Sequence, residues 1–238
     1  MNSRHCDWIC PVPFWFLEIC RPGVWGLARA LFRIRFHGVE HVPLTGAVVL
    51  VPNHVSYMDP VLATIPIHRP LHYMALEPFF RMPGLGILIR WCRAFPVRVD
   101  EAGQAARAAL RLLHRGEPLL IFPEGGRSPD GTLQPFRAGA FRLALAARAP
   151  VVPVTIAGAF EAWPPRYRLP RPRRIAVTYH RALTVADLPA SADRKTHPAL
   201  LAELARQRIA SALGPPTGGT SSGARGCRAS SDRPPAPS

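Results

Sequence analysis

Lysine is nearly missing from this 238-residue chain: Lys195 is the single one among 30 basic residues. Acidic residues are also few, 15 in all, so the formal net charge is +15 and the isoelectric point lies near 11.2. Basicity carried almost wholly by guanidinium suits phosphate, which the planar fork of arginine can pair bidentately. Such a surface attracts polyanions, whether phospholipid headgroups, nucleic acid or phosphorylated substrates. Cysteine is sparse and odd in number: Cys6, Cys10, Cys20, Cys92 and Cys227 form no C-x-x-C pair. That excludes a disulfide framework and leaves reduced thiols in a cytoplasmic setting as the expectation. No run of ~18 consecutive apolar residues is present, so no membrane-spanning helix is expected. Asp7, Pro11, Pro13, Glu18, Arg21 and Pro22 interrupt what a secretory signal would need to keep apolar. H-E-x-x-H, Cys/His ligand spacing and the G-x-S-x-G elbow are all lacking, so neither a metal nor an α/β-hydrolase serine is expected.

Apolar residues nevertheless make up 48% of the chain, enough at this length for one substantial core. The coarse pattern predicts strands over 33–39, 47–51, 71–75, 94–99, 118–122, 151–156 and 174–179, several of them continuous β-branched runs. Helical periodicity predicts helices over 60–65, 83–92, 101–115, 138–148 and 198–213. The third of these carries Ala105, Ala109, Leu112 and Leu113 on its inner side and is stopped by Gly116. Continuous apolar strands alternating with helices are what a sheet covered on both faces requires. The expected fold class is therefore α/β, a single domain over 37–213 with a mostly parallel sheet flanked by helices.

Residues 1–36 read as an amphipathic helical segment outside that domain. Trp8, Trp15 and Trp25 lie there with Phe14, Phe16, Phe32 and Phe36, and with Arg21, Arg29, Arg33 and Arg35. Val24, Leu27, Leu31 and Ile34 follow helical spacing, while Arg29 and Arg33 project elsewhere. Two readings stand: a helix lying in a membrane interface, or an amphipathic helix packed on the domain. Residues 214–238, composed of Pro, Gly, Ser, Thr and Arg, have almost nothing to bury and read as a disordered basic tail. The basic stretch 166–174 is broken by prolines; with the aromatic N-terminus it favours a peripheral protein on anionic lipid.

The residues that carry chemistry sit at strand ends. After the strand over 47–51 comes Asn53-His54-Val55-Ser56-Tyr57-Met58-Asp59, an N-H-x-x-x-x-D stretch. Asp59-Pro60 reads as the N-cap and first position of a helix. An imidazole at a strand tip with a carboxylate in the same turn suits a base that takes a proton from a hydroxyl; the plain alternative is a satisfied polar turn. Ser56 reads as a turn hydroxyl rather than a nucleophile. After the strand over 118–122 comes Pro123-Glu124-Gly125-Gly126-Arg127-Ser128. Ligands of open α/β sheets bind at the carboxyl ends of strands, Gly125 and Gly126 permit close backbone approach, and Arg127 suits a phosphate. Taken alone, this segment reads equally as a solvated Glu–Arg turn.

The two stretches together, His54 and Asp59 followed by Phe122-Pro123-Glu124-Gly125-x-Arg127-Ser128, resemble the glycerophospholipid acyltransferase family. Its best-known members are the 1-acylglycerol-3-phosphate acyltransferases. A third element of that family, an apolar strand with an internal proline, is matched by Val151-Val152-Pro153-Val154-Thr155. The resemblance implies a glycerol-phosphate acyltransferase-like fold, His54 as general base and Asp59 as its orienting acid. It implies that Glu124 and Arg127, with Gly125 and Ser128 beside them, hold the glycerol phosphate acceptor and that Pro153 lines the site. Two departures stand out. Gly126 occupies a position that is usually threonine. The family's second motif ends in a phosphate-binding arginine after a stretch like Phe95-Pro96-Val97; that position aligns with Val99, which leaves Arg98 one position early as the candidate ligand. On a strand a one-residue offset turns a side chain to the other face, unless a bulge restores it.

The activity so implied is acyl transfer from acyl-CoA or an acyl carrier protein thioester, a co-substrate rather than a bound cofactor, to a lysophospholipid hydroxyl. The first acceptor is 1-acyl-sn-glycerol 3-phosphate, giving phosphatidic acid; a lyso-ornithine lipid or glycerol 3-phosphate is the alternative. His54 would take the hydroxyl proton during direct attack on the thioester, with no acyl-enzyme. The expected partners are the two substrates, acyl carrier protein and an anionic membrane surface. The expected location is peripheral, on the cytoplasmic face of the inner membrane. A non-catalytic nucleic-acid-binding protein rests on charge alone, without a recognisable binding motif, so no nucleic acid partner is expected.

Overall fold

Val48–Pro52 is buried at every position, and its side chains part to two sides. Val48 and Leu50 join one apolar cluster, Val49 and Val51 another. This is the alternation of a strand covered on both faces. The computed structural model of the chain describes residues 14–81, 94–97, 102–164, 167 and 169–214. Its strands are β1 (Arg35–His37), β2 (Val48–Pro52), β3 (His72–Leu76), β4 (Ala94–Val97), β5 (Pro118–Leu120), β6 (Val151–Ala157) and β7 (Ala176–Tyr179). Among the described residues they form one sheet in the order β1-β7-β6-β2-β5-β3-β4. Every neighbouring pair is parallel except β6 with β7. The mostly parallel α/β sheet expected from the apolar runs is the observed one.

The helices are α1 (Phe14–Phe32), α2 (Asp59–Leu62), α3 (Glu77–Phe80), α4 (Ala102–His114), α5 (Gly139–Ala146), α6 (Ala159–Ala162) and α7 (His197–Leu213). One face of the sheet is covered by α4, α5 and α7. Ala109 and Leu113, Ala140, Phe141 and Ala144, and Leu201, Ala202 and Ala205 meet Val49, Val51 and Leu119 there. These positions recur at helical spacing, the stripe an amphipathic helix buries. The other face gathers Phe32, Ile34, Leu62, Phe80, Ala159 and Ala162 against Leu50, Leu120, Val152 and Val154.

The register sets the site. β2 lies between β6 and β5, with Leu50 opposite both Val152 and Leu120. His54 follows Leu50 by as many residues as Glu124 follows Leu120. Two parallel neighbours with equal overhangs therefore deliver both segments to one height at the carboxyl edge of the sheet.

Three expectations need correction. The boundary after residue 36 cuts through β1, whose Arg35, Phe36 and His37 pair with Ala176, Val177 and Thr178; Phe32 and Ile34 are core residues, so the domain begins within the last turn of α1. The helix does not reach Ile34: it ends at Phe32, Arg33 takes a positive φ of 43°, and Ile34 leads into β1. Asp59 is not an N-cap, because Met58 holds that position and Asp59 is the first helical residue. The expected helix over 83–92, Arg98 and Val99, residues 1–13, and the tail from 215 lie outside the described residues.

Candidate active site

Where β2 ends, a side chain takes over the pairing. Asn53 Nδ2 donates to the Ile156 carbonyl at 3.0 Å, and its Oδ1 accepts the Ile156 N–H at 2.7 Å. The carboxamide has one donor and one acceptor in the arrangement of a peptide group. It thereby fastens the tip of β2 to β6 and leaves the chain free to turn.

The next residue is held from three sides. The His54 N–H donates to Glu124 Oε1 at 2.8 Å, and its carbonyl accepts the Ser128 N–H at 2.8 Å. Its ring stacks on Phe122, with centroids 3.8 Å apart and 21° between planes. His54 Nδ1 lies 2.9 Å from Asp59 Oδ2. The same oxygen accepts the N–H groups of Val55 at 2.6 Å and Ser56 at 2.7 Å. Asp59 is thus the centre of the turn, fully buried, while the His54 side chain keeps 17% exposure. With Nδ1 donating to the carboxylate, the lone pair is on Nε2, which has no hydrogen-bond partner among the described residues. Asp59 Oδ1 is buried without a partner among them, an arrangement that folding alone does not favour.

Glu124 is a joint between segments. Its Oε1 receives the His54 amide and its Oε2 the Gln134 amide at 3.2 Å, and it is only 7% exposed. Burial pushes its carboxyl up to about 7; the two amide hydrogen bonds oppose that rise, and the Asp59 charge adds to it. Ser128 is buried and its hydroxyl donates to Asp130 Oδ1 at 2.9 Å. That oxygen also takes the N–H and hydroxyl of Thr132, and these hydrogen bonds hold the Asp130 carboxyl below the usual range. Ser56 is a turn hydroxyl, as expected: it donates to the Trp163 carbonyl at 2.8 Å and accepts the Met58 N–H at 3.3 Å.

Beside this frame lies an aromatic and cationic rim. The Arg127 guanidinium sits 3.8 Å from the centroid of the Tyr57 ring, a cation–π contact, and Tyr57 is tilted against Trp163 at 5.7 Å. Gly125 has φ 78°, which admits glycine with little strain.

The candidate residues therefore divide. His54 and Asp59 form a hydrogen-bonded pair; Glu124 and Ser128 brace the backbone around it; Gly125 and Arg127 lie on the adjoining turn. Pro153 is inside the sheet, buried in β6 opposite Val51, and it is Ile156 that meets the tip of β2. Arg98 lies outside the described residues. Asn53, Phe122, Trp163, Gln134 and Arg137 had no role assigned from local pattern. Asn53 adjoins the histidine and Phe122 opens the second motif, so both were within reach; Gln134 and Arg137 lie beyond any local pattern. Among the described residues no group of three or more His, Cys, Asp and Glu side chains is placed to hold a metal.

Residues 33–157 match the family model described as Acyltransferase. A 1-acyl-sn-glycerol-3-phosphate acyltransferase of Chlamydomonas reinhardtii is 30% identical over 199 residues, which cover 81% of this chain and 57% of that protein. One of Bacillus subtilis is 28% identical over 127 residues, covering 52% of this chain and 63% of that protein. The chain thus spans less than two thirds of the length of either. The crystal structure of the 1-acyl-sn-glycerophosphate acyltransferase of Thermotoga maritima shares the fold, with a TM-score of 0.59, 22% identity and coverage of 81% of this chain and 82% of that one.

Proposed function

The chain belongs to the acyltransferase family, and from that premise we propose that it transfers an acyl chain from a thioester to the hydroxyl of a lysophospholipid. The acceptor we assign is 1-acyl-sn-glycerol 3-phosphate, the substrate for which its relatives are named; the donor is acyl-CoA or acyl carrier protein. The observation that carries the reading is the His54–Asp59 pair at 2.9 Å, with Nε2 left to accept a proton. A hydroxyl is a poor nucleophile near neutral pH, and a positioned base that removes its proton accelerates attack by ~10²–10⁴-fold. The oxygen attacks the thioester carbonyl, the proton passes to His54 Nε2, and the tetrahedral intermediate expels the thiolate, which takes that proton back. Asp59 holds the imidazole tautomer and stabilises the imidazolium between those steps. No side chain is acylated on this path, and Ser56, committed to Trp163, is not needed as a nucleophile.

The proposal extends to a membrane surface, where a lysophospholipid acceptor resides through its acyl chain. No helix among the described residues is long and apolar enough to cross a membrane. Along α1, however, Ile19 is 67% and Leu31 42% exposed, and the Arg29 guanidinium lies 4.9 Å from the Trp25 ring. Exposed aliphatics with a tryptophan–arginine pair suit the headgroup boundary. We place the protein there peripherally, on the cytoplasmic face.

The test is thiol release and product mass from the wild type and His54→Ala, using both donors and a panel of lysolipids. We expect phosphatidic acid from the wild type and a rate at least ~10²-fold lower from the variant. No lysolipid product with either donor, or a fully active variant, overturns the reading.

A further inference from the structure

Arg137 lies outside both strand-tip segments, yet it ends up on one of them. Its N–H donates to the Pro123 carbonyl at 2.9 Å, which brings the 131–138 loop alongside the turn after β5. Its guanidinium then covers Gly125. A Cβ built on that glycine would lie 2.8 Å from both Arg137 Cζ and Nε, and 3.1 Å from Nη1. The absence of a side chain at 125 is therefore what lets the guanidinium approach the turn so closely. Gly126 beside it is open, since an added Cβ there meets nothing within 4 Å. Arg127, next along the turn, is held over Tyr57. Neither arginine has an ion-pair partner among the described residues, and the nearby carboxylate, Glu124, is occupied by the His54 and Gln134 amides. One short turn thus bears two uncompensated guanidinium groups around a cleared glycine surface.

We propose that Arg137 and Arg127 together form the site for the terminal phosphate of the acceptor, with Arg137 as the second cation and the one that favours a phosphate monoester over a diester. This rests on the acyl transfer to a phosphorylated acceptor proposed above. A monoester dianion offers three unesterified oxygens, enough for a fork from each side; a diester offers two oxygens and a single charge. Arg137 binds and does not touch the reacting hydroxyl, so its loss appears in acceptor affinity.

The experiment compares the wild type with Arg137→Met, which keeps an apolar chain but removes the guanidinium over Gly125, and with Arg137→Lys, which keeps the charge. In the first arm, kcat and KM are measured with 1-oleoylglycerol 3-phosphate and with 1-oleoyl-lysophosphatidylglycerol. We expect Arg137→Met to raise KM for the monoester by about 10- to 100-fold and for the diester by only about threefold, the range for one charge-assisted contact. KM for the thioester stays unchanged and Arg137→Lys recovers much of the loss. In the second arm, glycerol 3-phosphate binding is measured by calorimetry in the His54→Ala background, where no turnover is needed. The same order, with the Met variant weaker than the Lys variant and Lys weaker than the parent, is expected. If the wild type acylates no lysolipid, the functional reading fails while this second arm still decides the role of Arg137. Equal losses in the Met and Lys variants together with a lowered Tm would show a packing role and overturn the proposal. So would variants within twofold of wild type in acceptor KM, or glycerol 3-phosphate binding that is absent or indifferent to Arg137.

Discussion

Replacing Glu124 by Gln should make the stability of the two proteins diverge with pH. The carboxyl is buried and its pKa is pushed from 4.5 to about 7. A carboxyl raised on folding holds its proton more tightly in the folded chain than in the unfolded one. Its contribution is fully present below about pH 4.5 and is lost as the pH rises through about 7. At ~1.36 kcal/mol per pH unit of separation, the loss between about pH 5 and about pH 8 is roughly 2 to 3 kcal/mol. Gln has no such titration. It does lose at every pH, because one amide oxygen serves only one of the His54 and Gln134 N–H donors and its NH₂ faces the other, at about 1–3 kcal/mol. Glu124→Gln is therefore expected to be the less stable protein near pH 5 and to draw level near pH 8. Urea unfolding at the two pH values measures this, and other titrating groups cancel because both proteins carry them. A stability difference that stays constant within about 0.5 kcal/mol, or moves against Gln as pH rises, refutes the burial argument.

Asp59→Asn is expected to keep the turn and lose the chemistry. Its oxygen can still receive the Val55 and Ser56 amides, but its NH₂ takes the unpartnered place of Oδ1, costing about 1–3 kcal/mol in stability. Without the negative charge, kcat should fall by ~10²–10⁴-fold at nearly unchanged KM; a variant retaining over about a tenth of the rate contradicts the orienting role. Ile19→Glu with Leu31→Glu touches two exposed positions, so Tm should hold while co-sedimentation with anionic vesicles falls at least about tenfold. Undiminished sedimentation would remove α1 from the membrane surface.

The central strands were legible because a sheet buried on both faces needs continuous apolar runs, as in β2, β5 and β6; β1, Arg35-Phe36-His37, lies at the sheet edge and is not such a run. The helices over α4, α5 and α7 were legible from their periodicity. The domain boundary was not. Phe32 and Ile34 sit among arginines and aromatics that look like an interfacial segment, and only the pairing of β1 with β7 shows them to be core. The Asp59-Pro60 dipeptide has the composition of an N-cap, yet its carboxylate turns back to three N–H groups of the preceding turn, a choice that depends on where β2 stops.

What the sequence by itself determined is the chemistry available: an imidazole with a carboxylate in the same turn, and a carboxylate and guanidinium after a second buried strand. Residue type and short spacing are local facts, and they hold whatever the fold. What only the tertiary structure decided is which groups meet. The pairing of Leu50 with Leu120 brings two distant segments to one height, turns Glu124 into a brace for the His54 amide, and lays Arg137 across Gly125. Those contacts are fixed by strand register and by the path of the 131–138 loop, and register is a property of neighbouring strands that neither strand carries alone.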